Sequence, residues 1–499
     1  MPALVAIAAS AAVFHGIGFS AWFDEAYSYG LATAPLHVLL GQWAWGSESN
    51  MILYYLILKA WLGVTGLIGL APNETVLRVP SAVFAVAAAV VVYLLGRRLF
   101  GTIAGLVAAG LYLANFLQMG VAQLARSSSL ELFLLSLSWY ALFAALTRGS
   151  ARRWWALFVA SSALAVYAAL FSGLVLASEA VALALVLVLP GPWRERVHAS
   201  IRPAVVSFVL VGVLIAPIAL DAVLHGGPVW LAPVGLHVIT GLFLAIGGGS
   251  RRYELLVFDV AALGFLAAVG RRIVSTRSDT YGPALAMATW FVLPIVIAFA
   301  LTQPRLNLHL FSNRYLVVVV PPLCLLAGLG VSALRWRPLQ AVLAAGLLLV
   351  ALPQLLHYYD SPHLQDIRGA ARWIEARYQP GDGLVCAPAV ECAIPIEYYI
   401  EADKTAVHFD PDSPGRFSWD GGRTVSLDDA AVLDYAPKHQ RVFFVYARSV
   451  LDPQAQRLES SLGHGFQEVG RMRARAAVDT WVVLYERISI LVSPASGGG

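Results

Sequence analysis

Apolar residues fill this chain in long unbroken runs, not in short periodic windows. Eleven such runs lie near 2–21, 78–96, 101–118, 128–147, 153–171, 172–190, 203–221, 254–270, 282–301, 313–334 and 338–356. A bilayer core of about 30 Å takes roughly 20 apolar residues per helix. The pattern therefore predicts a polytopic α-helical membrane protein with about eleven crossings. Two further segments, 51–70 and 236–249, are shorter or interrupted, the second ending in Gly247, Gly248 and Gly249. If both cross, there are thirteen helices. Past residue 356 the runs stop. Ala370, Ala371, Trp373, Ile374 and Tyr378 mark a helical stripe over 363–378. Short strand-like runs at 384–387, 406–409, 441–447 and 480–485 alternate with helix-like stretches at 391–400, 427–435 and 452–463. That alternation predicts a small α/β soluble domain over 357–487, followed by a flexible tail at 488–499.

Charge sharpens the division. Only 13% of the 499 residues are charged, against about 25% in an ordinary soluble protein. Residues 1–356 hold 20 Lys+Arg and 11 Asp+Glu, whereas 357–499 hold 14 and 19. The composition disfavours soluble enzymes and disordered chains. Nucleic-acid binding is not expected, because no basic stripe exists. Of the three cysteines, Cys324 lies in an apolar run, and Cys386 and Cys392 sit six positions apart in the soluble part. The last two suit either a disulfide or two free thiols, depending on the compartment.

The positive-inside rule assigns sides. With a cytoplasmic N-terminus and eleven crossings, 13 arginines fall inside, among them Arg97, Arg98, Arg152, Arg153, Arg271 and Arg272. Seven cations fall outside: Lys59, Arg78, Arg126, Arg251, Arg252, Arg305 and Arg314. This orientation makes 22–77 a long outer loop with interfacial helices, 33–45 among them, and puts the soluble domain outside.

The same orientation gathers four polar clusters on the outer face. Trp22-Phe23-Asp24-Glu25-Ala26 follows the first run. Its carboxylates suit either a solvated helix end or a general base for an acceptor hydroxyl. Asn50, Tyr54 and Tyr55 lead to Lys59, a cation that either snorkels to headgroups or contacts a phosphate. Gln123 and Arg126 precede Glu131; Arg126 either pairs with Glu131 or offers its fork to a phosphate. His309, Arg314 and Tyr315 close the set, in a loop that suits a site or lipid headgroups. Glu179 is the one carboxylate well inside a predicted span, as a proton relay or a hydrogen-bonded structural residue. No GxGxxG, P-loop, HExxH or paired CxxC motif is present.

These motifs resemble the GT-C superfamily of integral-membrane glycosyltransferases, and most closely bacterial relatives of its dolichyl-phosphate-mannose protein mannosyltransferase-like branch. Trp22-Phe23-Asp24-Glu25-Ala26 is similar to the family's first-loop Asp-Glu motif. Leu53-Tyr54-Tyr55 with Lys59-Ala60-Trp61 resembles the stretch after its His-Pro-Pro motif, which here reads Asn50-Met51-Ile52. Leu77-Arg78-Val79-Pro80-Ser81 and Gly96-Arg97-Arg98 resemble the next helix. Gln123-Leu124-Ala125-Arg126 resembles Gln-Glu-Ala-Arg, with Leu124 in place of Glu. Arg314-Tyr315-Leu316 resembles a late Arg-Tyr-Leu helix, and Asp366-Ile367-Arg368-Gly369 the start of a periplasmic domain.

The resemblance implies a polyprenyl-phosphate-linked sugar donor, a lipid, glycan or protein acceptor, and a place in the cytoplasmic (inner) membrane with the C-terminal domain extracytoplasmic. It implies Asp24 as base with Glu25 beside it. It implies Lys59, Arg126 and Arg314 as donor-phosphate contacts and an inverting direct displacement; Asn50, Tyr54, Tyr55, Gln123, His309 and Tyr315, on the same outer face, are the further candidates for donor or substrate contact. No cofactor is assigned. A divalent metal at the acidic motif occurs in some members, and the sparse outer carboxylates here do not favour it. The alternatives are a transporter or flippase, which needs a polar path across the membrane, and a membrane-anchored assembly factor of the cell envelope.

Overall fold

The structure, a computed structural model of the chain, describes residues 1–45, 50–147, 152–225, 235–275, 278–303, 310–361, 364–402, 407–408, 410–419, 423–447 and 453–488. His309, half of the expected strand 406–409 and nearly all of the expected tail lie outside these residues. In chain order the helices are α1 Pro2–Phe14, α2 Phe23–Thr33, α3 Leu36–Trp45, α4 Ile52–Leu67, α5 Glu74–Phe100, α6 Thr102–Ala114, α7 Phe116–Ala122, α8 Ser128–Thr147, α9 Arg152–Ala168, α10 Ser172–Val188, α11 Pro192–Ala199, α12 Ile201–His225, α13 His237–Ile246, α14 Arg251–Val274, α15 Tyr281–Leu301, α16 Val320–Ala333 and α17 Arg337–Asp360. A 3-10 turn, Tyr315–Val319, leads into α16.

Seven helices among the described residues are long and apolar enough to cross a membrane, or nine if each of two bent pairs is one span. The runs at 2–21 and 153–171 form α1 and α9, of 13 and 17 residues. The uncertain segments form α4 and α13, of 16 and 10 residues. Both bends have local causes. The pair α6 and α7 turns by 70° at Asn115, whose Oδ1 accepts from Gln118 N (3.1 Å) and whose Nδ2 donates to Ile246 O (2.8 Å). This caps the second helix. The pair α10 and α11 turns by 117° around Pro190, Gly191 and Pro192, with Gly191 at φ 150°, a conformation open to glycine.

The chain divides into two compact units. The first is Met1–Ile17, Leu40–Trp61 and Arg78–Ser361; the second is Gly18–Leu39, Leu62–Leu77 and Pro362–Gly499. In the first unit α8 packs on α9, α10 on α15, and α16 between α6 and α14. Small residues allow the closest of these approaches. A Cβ at Gly330 would lie 2.0 Å from Val260 O, and one at Gly328 2.4 Å from Ala104 O.

The second unit holds α18 Ile367–Glu375, β1 Gly383–Ala387, α19 Ala389–Ala402, β2 Phe417–Ser418, β3 Arg423–Thr424, α20 Asp429–Tyr435, β4 Arg441–Tyr446, α21 Pro453–Gly463, β5 Phe466–Ala474 and β6 Thr480–Arg487. Its main sheet runs β1-β4-β6-β5, with β1 parallel to β4 and the other pairs antiparallel. Val385, Phe444, Val483 and Tyr485 meet Leu458 and Leu462 of α21 in one core. This is the small α/β layer expected, with β5 added. In β5 only Phe466 and Ala474, the two ends, are buried, so the strand carries no continuous apolar run to announce it. Cys324, Cys386 and Cys392 are free and buried. The pairing of Cys386 with Cys392 is thus not realised, and burial pushes the Cys386 thiol up, which keeps it protonated and unreactive.

Candidate active site

In the first unit, the residues flanking α4 and α5 build a polar cluster. Met51, just before α4, has φ +77°, a left-handed conformation that costs a side-chain-bearing residue strain. Its carbonyl accepts from Tyr54 N and Tyr55 N, at 2.9 and 3.2 Å. Both tyrosines are fully buried. Tyr54 OH and Ser81 Oγ share a hydrogen bond of 2.8 Å. Ser81 Oγ donates to the Arg126 carbonyl at 3.0 Å, and Arg126 Nη1 donates to Tyr55 OH at 3.4 Å. The structure therefore brings together Tyr54, Tyr55 and Arg126, three of the expected contacts, through a serine that the sequence reading left out. Lys59, half-buried, follows Tyr55 by four positions and shares its face of the helix.

Asn50 and Tyr315 meet one short connection. Asn50 Oδ1 accepts from Leu170 N at 3.0 Å, and the Tyr315 ring lies 5.9 Å from that of Phe171. Arg314 precedes the 3-10 turn and is half-buried. Gln123 does something different from what its motif suggested. Its Nε2 donates to Val13 O (2.8 Å) and His15 O (2.7 Å), and its Oε1 accepts from Tyr358 OH (3.0 Å). The fully buried amide ties the end of α1 to α17. Glu131 accepts from Ser172 Oγ at 3.0 Å, so its partner is a hydroxyl on α10. The sequence reading also missed Arg78. Its side chain is fully buried and Nη1 donates to Ile17 O at 2.6 Å. Three positions before Ser81, it lies on the same face of α5, and that spacing was the available signal.

In the second unit, Asp24 and Glu25 occupy the first turn of α2, where carboxylates oppose the positive end of the helix dipole. Successive helix positions differ by about 100°, so the two side chains leave on different faces. Glu25 is 1% exposed, while Asp24 is half-buried. Among the described residues no three His, Cys, Asp or Glu gather as a metal-holding group. A divalent ion at this motif would meet two carboxylates that diverge.

The backbone ahead of α2 is held by a dense network. Glu74 Oε1 accepts from Arg368 Nη1 (3.0 Å) and Tyr399 OH (2.8 Å). Tyr399 OH accepts from Ala21 N at 2.6 Å. Ser20 Oγ accepts from Arg368 N at 3.1 Å, and Arg368 Nη1 also donates to Gly18 O at 3.1 Å. Burial, and secondarily the Glu74 carboxylate, hold the Tyr399 phenol above its usual range. It stays a neutral donor at any ordinary pH. Residues 18–22, and with them the start of α2, are thus fixed by α18 and α19.

Comparison with known proteins follows this geometry. Residues 52–220 match the family model of dolichyl-phosphate-mannose-protein mannosyltransferase. That stretch contains Tyr54, Tyr55, Lys59, Arg78, Ser81 and Arg126. The comparison with curated proteins gives no match. Among solved structures, ArnT from Cupriavidus metallidurans in the apo state aligns with a TM-score of 0.60 at 15% identity, over 99% of this chain and 98% of that one. The same protein bound to undecaprenyl phosphate aligns at 0.57 and 14%, over 99% of both chains. The archaeal oligosaccharyltransferase AglB from Archaeoglobus fulgidus aligns at 0.52 and 13%, over 94% of this chain and 72% of that one. At such identities the likeness is one of fold, and it extends over nearly the whole chain. Over the segment 52–220 and in fold, then, this chain resembles the GT-C integral-membrane glycosyltransferases, as its motifs indicated.

Proposed function

We propose that this protein transfers a sugar from a polyprenyl-phosphate donor to an acceptor hydroxyl at the outer face of the cytoplasmic membrane. The observation that carries the reading is the Tyr54–Ser81–Arg126–Tyr55 cluster inside the family-matched segment 52–220. A structure of similar fold, bound to undecaprenyl phosphate, supports the donor class. In this reading the acceptor oxygen attacks the anomeric carbon as the bond from that carbon to the phosphate oxygen breaks. The attack comes from the side opposite the phosphate and inverts the centre. The acceptor proton passes to the half-buried Asp24 carboxylate, while Glu25 lies buried on another face of the same turn. The phosphate leaves as an anion, and Arg126, Lys59 and Arg314 stabilise its charge. Tyr55 orients the Arg126 fork, and Tyr54 and Ser81 hold the carbonyl behind it. The arginine distribution supports a cytoplasmic N-terminus and an outer C-terminal part.

The test is transfer from a radiolabelled polyprenyl-phosphate sugar in proteoliposomes. Asp24→Asn is expected to lower the rate by about 10²–10⁴ with thermal unfolding unchanged, the range for a lost general base. Full activity in Asp24→Asn overturns the base assignment. Absence of transfer from every polyprenyl-phosphate sugar tried overturns the reaction class. Orientation is read separately with Trp45→Cys and Ser150→Cys: an impermeant thiol reagent outside should label the first and spare the second.

A further inference from the structure

The second unit contains a cleft that the transfer reaction as written does not use. It measures about 160 Å³ and is lined by α2 residues Ala26, Tyr29, Gly30 and Thr33, and by Ile394, Glu397, Tyr398 and Trp419. Its walls combine two surface types. One is aromatic: the rings of Tyr29 and Tyr398 lie 5.0 Å apart at 72°, and Trp419 contacts Tyr27 at 5.4 Å and Phe417 at 4.9 Å. The other is polar: the Glu397 carboxylate, held by Arg416 Nε at 3.0 Å, and the exposed Thr33 side chain.

The aromatic wall is built in, not incidental. A Cβ on Gly30 would lie 2.0 Å from the Trp419 ring, so only glycine lets the indole reach this depth against α2. Tyr398 is anchored by its hydroxyl to Pro72 O at 2.8 Å, which fixes its ring without spending the face. Trp419 and Tyr29 remain half-exposed. At about 160 Å³, against the roughly 10–15 Å³ that admits a single water, the space has room for a small polar ring. A lipid tail would meet the Glu397–Arg416 ion pair, which an apolar group cannot satisfy. A pyranose matches both walls: its C–H face suits the negative face of an aromatic ring, and its hydroxyl edge suits a carboxylate acceptor.

We infer that the cleft between α2, α19 and Trp419 is a saccharide subsite, holding one sugar unit of a glycan acceptor beside the helix that carries Asp24. The inference rests on the proposed transfer for the origin of the sugar, but binding is tested without it. Saturation-transfer NMR with the full-length protein in nanodiscs, against a panel of methyl glycosides, should find at least one bound ligand. Trp419→Ala should weaken that binding at least tenfold, and Trp419→Phe should hold it within about threefold. Thr33→Trp, on the exposed rim, should block the cleft without touching the core, and guards against misfolding of the first variant. Asp24→Asn should bind like wild type. Lack of binding across the panel, or binding unchanged by both Trp419→Ala and Thr33→Trp, overturns the subsite. Binding lost with these variants while Asp24→Asn keeps full transfer supports the subsite and overturns only the proposed base.

Discussion

Two carboxylates deep in the helical bundle of the first unit and two in the second find different partners, while Glu254, at the start of α14, pairs with the exposed Arg251. In the first unit Glu131 accepts from Ser172, and Glu179 from Ser138, itself bonded to Ser162 at 3.0 Å. In the second, Glu74 takes Arg368 and Tyr399, and Glu397 takes Arg416. All four are largely removed from solvent, with Glu131 at 3%, Glu179 at 0% and Glu74 at 7% exposure. The difference follows from the surroundings. Within an apolar bundle a second charge adds its own desolvation cost. A serine hydroxyl can donate to a carboxylate or accept from a carboxylic acid, so it satisfies the group without fixing its charge. Nearer water an arginine costs less to desolvate and holds the geometry firmly. Glu179 accepts from Ser138 of α8, which is bonded in turn to Ser162 of α9.

Substitution of these partners distinguishes the two arrangements. The largest effect is expected at Glu74→Gln, which leaves Arg368 with a neutral partner while its side chain is still only 33% exposed. A loss of about 2–3 kcal/mol is expected, below the full cost of a fully buried pair because of that exposure; it should appear as a clearly lowered unfolding temperature in detergent. A neutral result would mean that the ion pair adds nothing to the hydrogen bonds around it. Next, Ser138→Ala should cost about 1–3 kcal/mol, the price of an unmet buried acceptor. Glu179→Gln should cost less, because an amide still accepts from Ser138. Reversal of that order would mean that the Glu179 charge is needed.

Tyr399→Phe tests the pH side. The phenol is raised in the fold, so its stabilisation is complete below pH about 10, the unfolded value, and declines as pH rises beyond it. The variant should be less stable by about 1–2 kcal/mol near neutrality and should show a shallower alkaline loss. An unchanged alkaline slope would assign that loss to other tyrosines. The smallest effect is expected at Asp366→Ala. It removes the cap of α18, where Oδ1 accepts from Gly369 N at 2.9 Å, and should cost about 1 kcal/mol, read by the same thermal scan.

Much of this was legible in the chain. The apolar runs marked the helices because a bilayer demands length and hydrophobicity together. They could not show the bends, because Asn115 interrupts its run without ending it and the second bend falls at residues 190–192, where the run stops. The C-terminal strands with buried faces were visible; β5, with only its ends buried, was not. In the first unit, Tyr54, Tyr55 and Arg126 meet in one cluster through Ser81. Gln123 did not join them, since a motif shows residue type and spacing but not where an amide spends its bonds. Met51 is a similar case. It stands in the stretch matching His-Pro-Pro, yet its φ of +77° is closed to proline, which is locked near −65°. The local backbone therefore differs from the motif, and residue matching alone could not reveal it.

The Glu74–Tyr399 bond joins positions 325 residues apart, and that separation has a consequence for biosynthesis. At 5–20 residues per second, roughly 15–65 s pass between the appearance of Glu74 and that of its partner. Throughout that interval the chain ahead of Asp24 lacks α18 and α19, which later hold it. The acidic motif is therefore assembled last, although it is among the first parts translated, and a nascent chain halted near residue 361 would have its helical bundle but no ordered start to α2.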